Sequence, residues 1–280
     1  MTSDLHFKGW AKPGPIPPGL GAGLVVADDE TLDAISGHFR LFQLRDGHRF
    51  STDDILTAWY GTSWVPRARS ALDLGSGLGT VGMIVAWRLP GAQLVTVEAQ
   101  PQSVALARKS AQYNGVAHRY EIREGDFRAP GVLREGEQFD LVTASPPYFP
   151  PGTGVESEHP QKLACRFELR GTVADYCATA ARYLAAGGFF ACVFPFEPSQ
   201  LARVEAGAHA AGLIIVRRRP VVFREGEPPL VGLFGMMRAS DLPEWLRGHT
   251  WTEPELVIRT REGKIHSEYS AVKLAIGFPP

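Results

Sequence analysis

The sequence predicts an α/β protein, a doubly wound, seven-stranded and mainly parallel sheet with helices on both faces, preceded by an N-terminal hairpin extension. Three observations carry this expectation. From residue 70 onward, short apolar segments alternate with helical ones. A glycine-rich turn joins the first of these strands to the first of these helices. The last two strands follow one another with no helix between them, which predicts that the seventh runs antiparallel.

Each element has its own local reason. Residues 11–24 hold Pro13, Pro15, Pro17, Pro18 and four glycines, a composition that cannot build a core, so residues 1–30 are expected to form a mobile arm. Phe39 to Leu44 alternates, Asp46-Gly47 reads as a turn and Arg49-Phe50-Ser51 as the return, which predicts a hairpin, with a short helix from about Asp53 to Tyr60. These make residues 31–69 an extension and residues 70–280 the main domain. Strands are predicted at Ala71–Leu74, Leu94–Val97, Tyr120–Ile122, Phe139–Ala144 and Phe189–Phe194, then at Leu213–Val216 and Leu230–Met236. Between them, Val81 to Leu89 is apolar on most sides, as a buried helix is. Pro101 to Asn114 has proline in its first turn and Gly115 beyond its end. Val173, Tyr176, Cys177, Ala180 and Leu184 recur at helical spacing, with Thr172 to cap the start and Gly187-Gly188 to end it. Ser199 to Ala211 is a further helix, closed by Gly212.

Composition narrows the function. Hydrophobic residues make up 44% of the 280 and charged residues 21%, enough for a sizeable core. The formal net charge is −1 and the isoelectric point about 6.7, which excludes a protein that coats nucleic acid by bulk charge. Any RNA contact would rest on a local basic patch. Arg217-Arg218-Arg219, with Lys162, Arg166 and Arg170, could form one; a solvated strand edge of alternating charge is the alternative. No apolar run approaches the roughly 20 residues that span a bilayer, and Met1 to Trp10 lacks the layout of a signal peptide. Cys165, Cys177 and Cys192 are too few for a disulfide framework, so a reducing cytoplasm and no membrane are expected. The eight histidines and the cysteines have no metal-ligand spacing, and no metal is expected.

Four segments at strand ends carry the chemistry, where ligands of such sheets bind. Asp73-Leu74-Gly75-Ser76-Gly77-Leu78-Gly79 follows the first strand. A dinucleotide fingerprint needs its third glycine or alanine three residues after the second; here that position is Thr80, which argues against NAD. An acidic residue before the glycines suits S-adenosylmethionine (SAM), whose amino-acid part Asp73 could reach through water or backbone amides. Gly75, Ser76, Gly77 and Gly79 would cradle it; a tight turn with no ligand is the alternative. Glu98 ends the second strand and can accept both hydroxyls of a ribose, or stand as an ordinary solvated carboxylate. Asp126 can accept from an adenine amino group while Phe127 covers the ring, or belong to a plain Asp-containing turn.

Ser145-Pro146-Pro147-Tyr148-Phe149 follows the fourth strand. Two prolines remove two amide donors, leaving nearby carbonyls free to accept from a substrate amine. An aromatic exocyclic amine is a weak nucleophile because its lone pair is delocalised. A backbone carbonyl and Ser145 can hold both amine protons and turn that lone pair toward a methyl donor, while Tyr148 stacks on the base. Ser145, Pro146, Pro147 and Tyr148 are therefore the candidate catalytic residues and Phe149 a substrate contact, with no general base required. A rigid proline turn capping a strand is the alternative.

Together, residues Asp73–Gly79, Glu98, Asp126 and Ser145–Phe149 resemble the class I SAM-dependent amino-methyltransferases, whose fold is Rossmann-like. Over residues 39–275 the chain looks like the bacterial family that N6-methylates an adenine of valine tRNA. Phe50-Ser51-Thr52-Asp53 is similar to that family's motif before the glycine turn, Ala164-Cys165-Arg166-Phe167-Glu168 to its Ala-Arg-x-Glu stretch, and Glu268-Tyr269 to a pair before a final strand. The resemblance implies that Thr52 and Asp53 help bind SAM, that Arg166 lies in a substrate loop, and that the partner is an RNA, a tRNA first. That family's motif begins with Asn where this chain has Ser145, whose hydroxyl can also accept. A glutamine of a protein and guanine N2 of ribosomal RNA remain as other acceptors, and a noncatalytic module that binds RNA or protein as another class.

Overall fold

The computed structural model describes residues 5–21, 23–150, 152, 161, 163, 165 and 167–279. Arg166, Lys162 and His159 lie outside the described residues.

The chain opens with two short hairpins, β1 (His6–Phe7) with β2 (Trp10–Ala11), and β3 (Glu30–Ser36) with β4 (Phe39–Leu44). Helix α1 (Thr52–Trp64) follows. Then come β5 (Ser70–Leu74), α2 (Thr80–Arg88), β6 (Gln93–Glu98), α3 (Pro101–Tyr113), β7 (Tyr120–Glu124) and β8 (Phe139–Ala144). After these come α4 (Val173–Tyr183), β9 (Leu184–Pro195), α5 (Pro198–Ala210), β10 (Leu213–Arg224) and β11 (Val231–Arg238). The chain ends with β12 (Trp251–Thr252), β13 (Leu256–Arg259) and α6 (Ser267–Ala275).

The sheet runs β12-β10-β11-β9-β8-β5-β6-β7, with β13 also on β10. Strands β7, β6, β5, β8 and β9 are parallel, and β11 is antiparallel between β9 and β10, as a seventh strand without a crossover helix requires. Side chains alternate across a strand, and here both faces are apolar. Ala71, Leu94, Leu141, Phe189 and Ala191 share one core with α1, α2, α3 and α6. Leu72, Val95, Val142, Phe190 and Cys192 share the other with α4 and α5. Continuous apolar strands are what a sheet buried on both sides needs. No helix among the described residues is long and apolar enough to cross a membrane.

Several expectations need correction. The hairpin is real, but Phe39–Leu44 is its second strand, and Gly37-His38 forms the turn, with Ser36 opposite Phe39 and Gly37 at φ +51°. Residues 49–51 pair with no strand; the Phe50 amide donates instead to the Gln43 side chain at 2.8 Å. The Pro/Gly-rich stretch lies along the body, with the Gly19 amide on the Tyr113 carbonyl at 3.1 Å and Leu24 buried in the core. Strand β10 runs on to Arg224, so Arg217-Arg218-Arg219 sits inside the sheet, covered by β12 and β13, which bring the sheet to nine strands. Glu268-Tyr269 begins helix α6, and residues 271–275 are helical where a final strand was expected.

Candidate active site

One pocket of about 700 Å³ opens at the carboxyl ends of β5, β6, β7 and β8. It receives the turn after β5, the end of β6, the turn after β7 and the corner after β8. The first turn of α1 forms part of its wall, so the segment read as an extension contributes to the site. Of the residues predicted from sequence, Asp53, Gly75, Ser76, Gly77, Glu98, Asp126, Phe127 and Ser145 to Phe149 line this pocket. Asp73, Gly79 and Thr52 do not border it.

The glycine turn is shaped by backbone that other residues rarely adopt. Gly75 and Gly77 stand at φ +61° and +53°. A side chain at Gly75 would run into the Tyr176 hydroxyl, whereas at Gly77 it would meet open space. Asp73 braces the turn from below. It is 3% exposed and accepts from Thr143 Oγ1 at 2.8 Å and from the Gly82 amide at 3.2 Å. Burial pushes its carboxyl up to about 7, against the pull of the Thr143 bond. Asp73 thus stands behind the pocket wall, bonded to the first turn of α2.

Glu98 is 6% exposed and accepts the Gly77 amide at 2.8 Å and the Gln100 amide at 2.7 Å, one on each oxygen. Burial raises its pKa, opposed by those two amides and by Arg170. The Ala99 amide also bonds it, and a carboxylate with about four acceptor sites keeps capacity for a ribose hydroxyl. Asp126 is held below its ordinary range by Arg128, whose guanidinium lies 2.6 Å away. Phe127 packs obliquely on Tyr176 with ring centres 4.5 Å apart, giving an aromatic wall.

On the acceptor side, Pro146 and Pro147 are buried, Ser145 and Tyr148 are half-buried, and Phe149 is exposed. The Tyr148 hydroxyl donates to Asp53 Oδ2 at 2.7 Å. Burial raises the Asp53 carboxyl above its usual range, opposed by this bond. Thr52, beside it, starts α1 outside the pocket and bonds Tyr269 of α6. Among the lining residues that were not predicted as site residues, three bear on the chemistry. Asp54 accepts the Ser51 amide at 2.8 Å, and burial pushes it up to about 7; the Ser-x-x-Asp capping spacing was the available signal. Tyr176 read as helix core, and Arg170, in a turn before α4, read only as part of a basic patch. Burial pushes the Cys165 thiol up to about 12, so it is not a thiolate nucleophile at neutral pH.

Residues 60–165 match the family described as methyltransferase small domain. The chain carries a methyltransferase domain. A relative of this methyltransferase in Histophilus somni (strain 129Pt), named tRNA1(Val) (adenine(37)-N6)-methyltransferase, is 26% identical over 236 residues, 84% of this chain and 92% of its own. One of the same name in Yersinia pestis (strain Pestoides F) is 30% identical over 161 residues, 53% of this chain and 58% of its own. The crystal structure of a predicted O-methyltransferase from Agrobacterium tumefaciens superposes with a TM-score of 0.62, at 21% identity, over 81% of this chain and 98% of that one. That likeness shows the shared class I methyltransferase fold alone.

SAM is the methyl donor of the class I methyltransferases, and the pocket fits it. Ser76 Oγ is buried without a hydrogen-bond partner among the described residues, an orphan that a ligand can satisfy. Glu98 keeps acceptor capacity beside a glycine turn that admits a ligand close to its backbone, and Phe127 with Tyr176 offers apolar cover. A volume near 700 Å³ is in the range of small-molecule and cofactor sites.

Proposed function

We propose that this methyltransferase transfers a methyl group from SAM to the exocyclic N6 of an adenine in tRNA, in the cytoplasm. The observation that carries the reading is the opening of two corners into one cavity: the glycine turn after β5 and Ser145–Tyr148 after β8. The names of the relatives supply the acceptor, and the finer reading follows them to adenine 37 of tRNA1(Val).

The cofactor, when bound, supplies a methyl on a positively charged sulfur. Gly75, Ser76, Gly77 and Glu98 would hold it, and Phe127 and Tyr176 would give apolar cover. Asp73 acts on the same loop from beneath, by keeping the start of α2 in register with the turn. At the other corner the two prolines offer no amide donor, so carbonyls and the Ser145 hydroxyl face the amine and accept its protons. Tyr148 orients the base by stacking, a contact worth about 1–3 kcal/mol. Placement supplies the rest: holding reactants in line can remove about 7–11 kcal/mol of the barrier. The methylated nitrogen is acidic and gives its extra proton to water.

Purified protein, tRNA and tritium-labelled SAM test this directly. Mass spectrometry of the digested tRNA is expected to find N6-methyladenosine carrying the label. Label in ribosomal RNA or protein, with none in tRNA, overturns the acceptor.

A further inference from the structure

Tyr148 is held from three sides. Its ring meets Phe194 of β9 edge-on at 5.8 Å and Phe149 at 6.4 Å, and its hydroxyl reaches Asp53. Asp53 sits in the first turn of α1, 95 residues earlier in the chain. Its backbone is fixed in turn, since its carbonyl accepts the Thr57 hydroxyl at 2.8 Å. The resemblance to known enzymes put Asp53 on the cofactor. In the fold, one oxygen of its carboxyl accepts from the residue that faces the acceptor.

This matters because stacking depends on the plane of the ring, not only on its presence. The Phe194 and Phe149 contacts limit where the ring sits. An edge-on contact still lets the ring tilt, and the hydroxyl is the remote point that stops the tilt. A misplacement of about 1 Å at a reacting centre can cost about a hundredfold in rate.

We propose that Asp53 is a positioning residue for methyl transfer, fixing through the Tyr148 hydroxyl the plane that Tyr148 presents to the acceptor base. The proposal rests on the reading of Tyr148 as the stacking residue. It assigns Asp53 to the acceptor half of the pocket and leaves cofactor affinity to the glycine turn and Glu98.

Three variants separate the roles. Tyr148→Phe keeps the ring and removes the hydroxyl, Asp53→Ala removes the acceptor, and Asp53→Asn keeps an acceptor oxygen. We expect kcat to fall about tenfold in each of Tyr148→Phe and Asp53→Ala, and still about tenfold in the double variant, because both changes remove one bond. SAM affinity by calorimetry should stay within about threefold, and Asp53→Asn should recover to within about threefold of the parent kcat, since an amide oxygen also accepts. A SAM Kd that rises about tenfold in Asp53→Ala, or losses that multiply to about a hundredfold in the double variant, overturns the proposal. Should Asp53→Ala not fold, Asp53→Leu, which keeps the shape of the carboxylate and has no acceptor, takes its place in the same double-variant comparison. Fluorotyrosine NMR keeps the tether separate from the acceptor's identity. The Tyr148 signal, assigned by its loss in Tyr148→Phe, should shift in Asp53→Ala, and an unmoved signal overturns the tether. Absence of label in tRNA, with the signal shifted, overturns the function instead.

Discussion

Asp73 shows how a buried carboxyl can brace a pocket from behind its wall. Its partners are Thr143 of β8 and the Gly82 amide of α2, and burial raises its pKa from an ordinary 3.8 to about 7. A carboxyl raised on folding favours the protonated form in the native state. Its contribution to stability is therefore full below about pH 4 and is lost as the pH rises toward 7. Asp54 is shifted in the same direction, to about 7, while Asp126, Glu121 and Glu137 are lowered and act only at the acid end. The unfolding temperature of the ligand-free protein should fall between about pH 4.5 and 7, and Asp73→Asn should flatten that decline. Thermal melts across this range check it; an equal slope in both proteins would show that Asp73 is not the group that titrates. At this scale Gly75, Ser76, Gly77, Glu98, Ser145 and Tyr148 were legible, because a turn or strand end announces itself in a few neighbours. Asp54 and Tyr176 were not, since a capping box marks a helix start and an apolar helical spacing marks a core, and neither says that the side chain faces a cavity.

At the scale of elements, the site is a meeting of the β5–α2 turn with α4. Gly75 has a left-handed backbone, and the Tyr176 hydroxyl of α4 occupies the space a side chain there would need. Gly75→Ala should weaken SAM binding at least about tenfold and cost about 1–3 kcal/mol of stability, from strain and from the clash. Adding Tyr176→Phe should restore part of both, because the hydroxyl is the nearest obstacle. Calorimetry with SAM and denaturant titration measure the two effects; no recovery in the pair would place the whole cost in the backbone. Helices and core strands were readable because their periodicity is local. Strand β3 was not, since Glu30, Thr31 and Asp33 look like a polar loop until β4 pairs with them.

Across the whole molecule, the far edge of the sheet revises the reading of the basic run. Arg217 pairs with Glu253 at 2.6 Å, and its guanidinium lies 4.3, 4.7 and 5.4 Å from the rings of Tyr60, Trp64 and Trp251. The Tyr60 hydroxyl donates to the same Glu253 at 2.7 Å, which ties α1, β10 and the segment after β12 together. Arg218 pairs with Glu205 and Arg219 with Glu268. The three guanidiniums of the run are thus paired within the fold, beside the last strands of the sheet. Arg217→Met would strand a buried carboxylate and should cost about 3–5 kcal/mol in denaturant titration. Affinity for tRNA and its salt dependence should stay as in the parent protein. A shallower salt slope in filter binding would return Arg217 to the RNA interface.

Turn chemistry, capping residues and apolar periodicity act over a few residues. The strand–helix alternation, the antiparallel seventh strand and two facing corners of the pocket could therefore be read along the chain before any coordinates. Partners that meet only after folding could not. Tyr148 finds Asp53 at a separation of 95 residues, Arg217 finds Glu253 at 36, and Tyr60 finds Glu253 at 193. A charged or aromatic side chain carries no local mark of whether water, a ligand or another side chain will satisfy it. That choice follows from burial and from which segments the sheet brings side by side, and so it belongs to the three-dimensional arrangement.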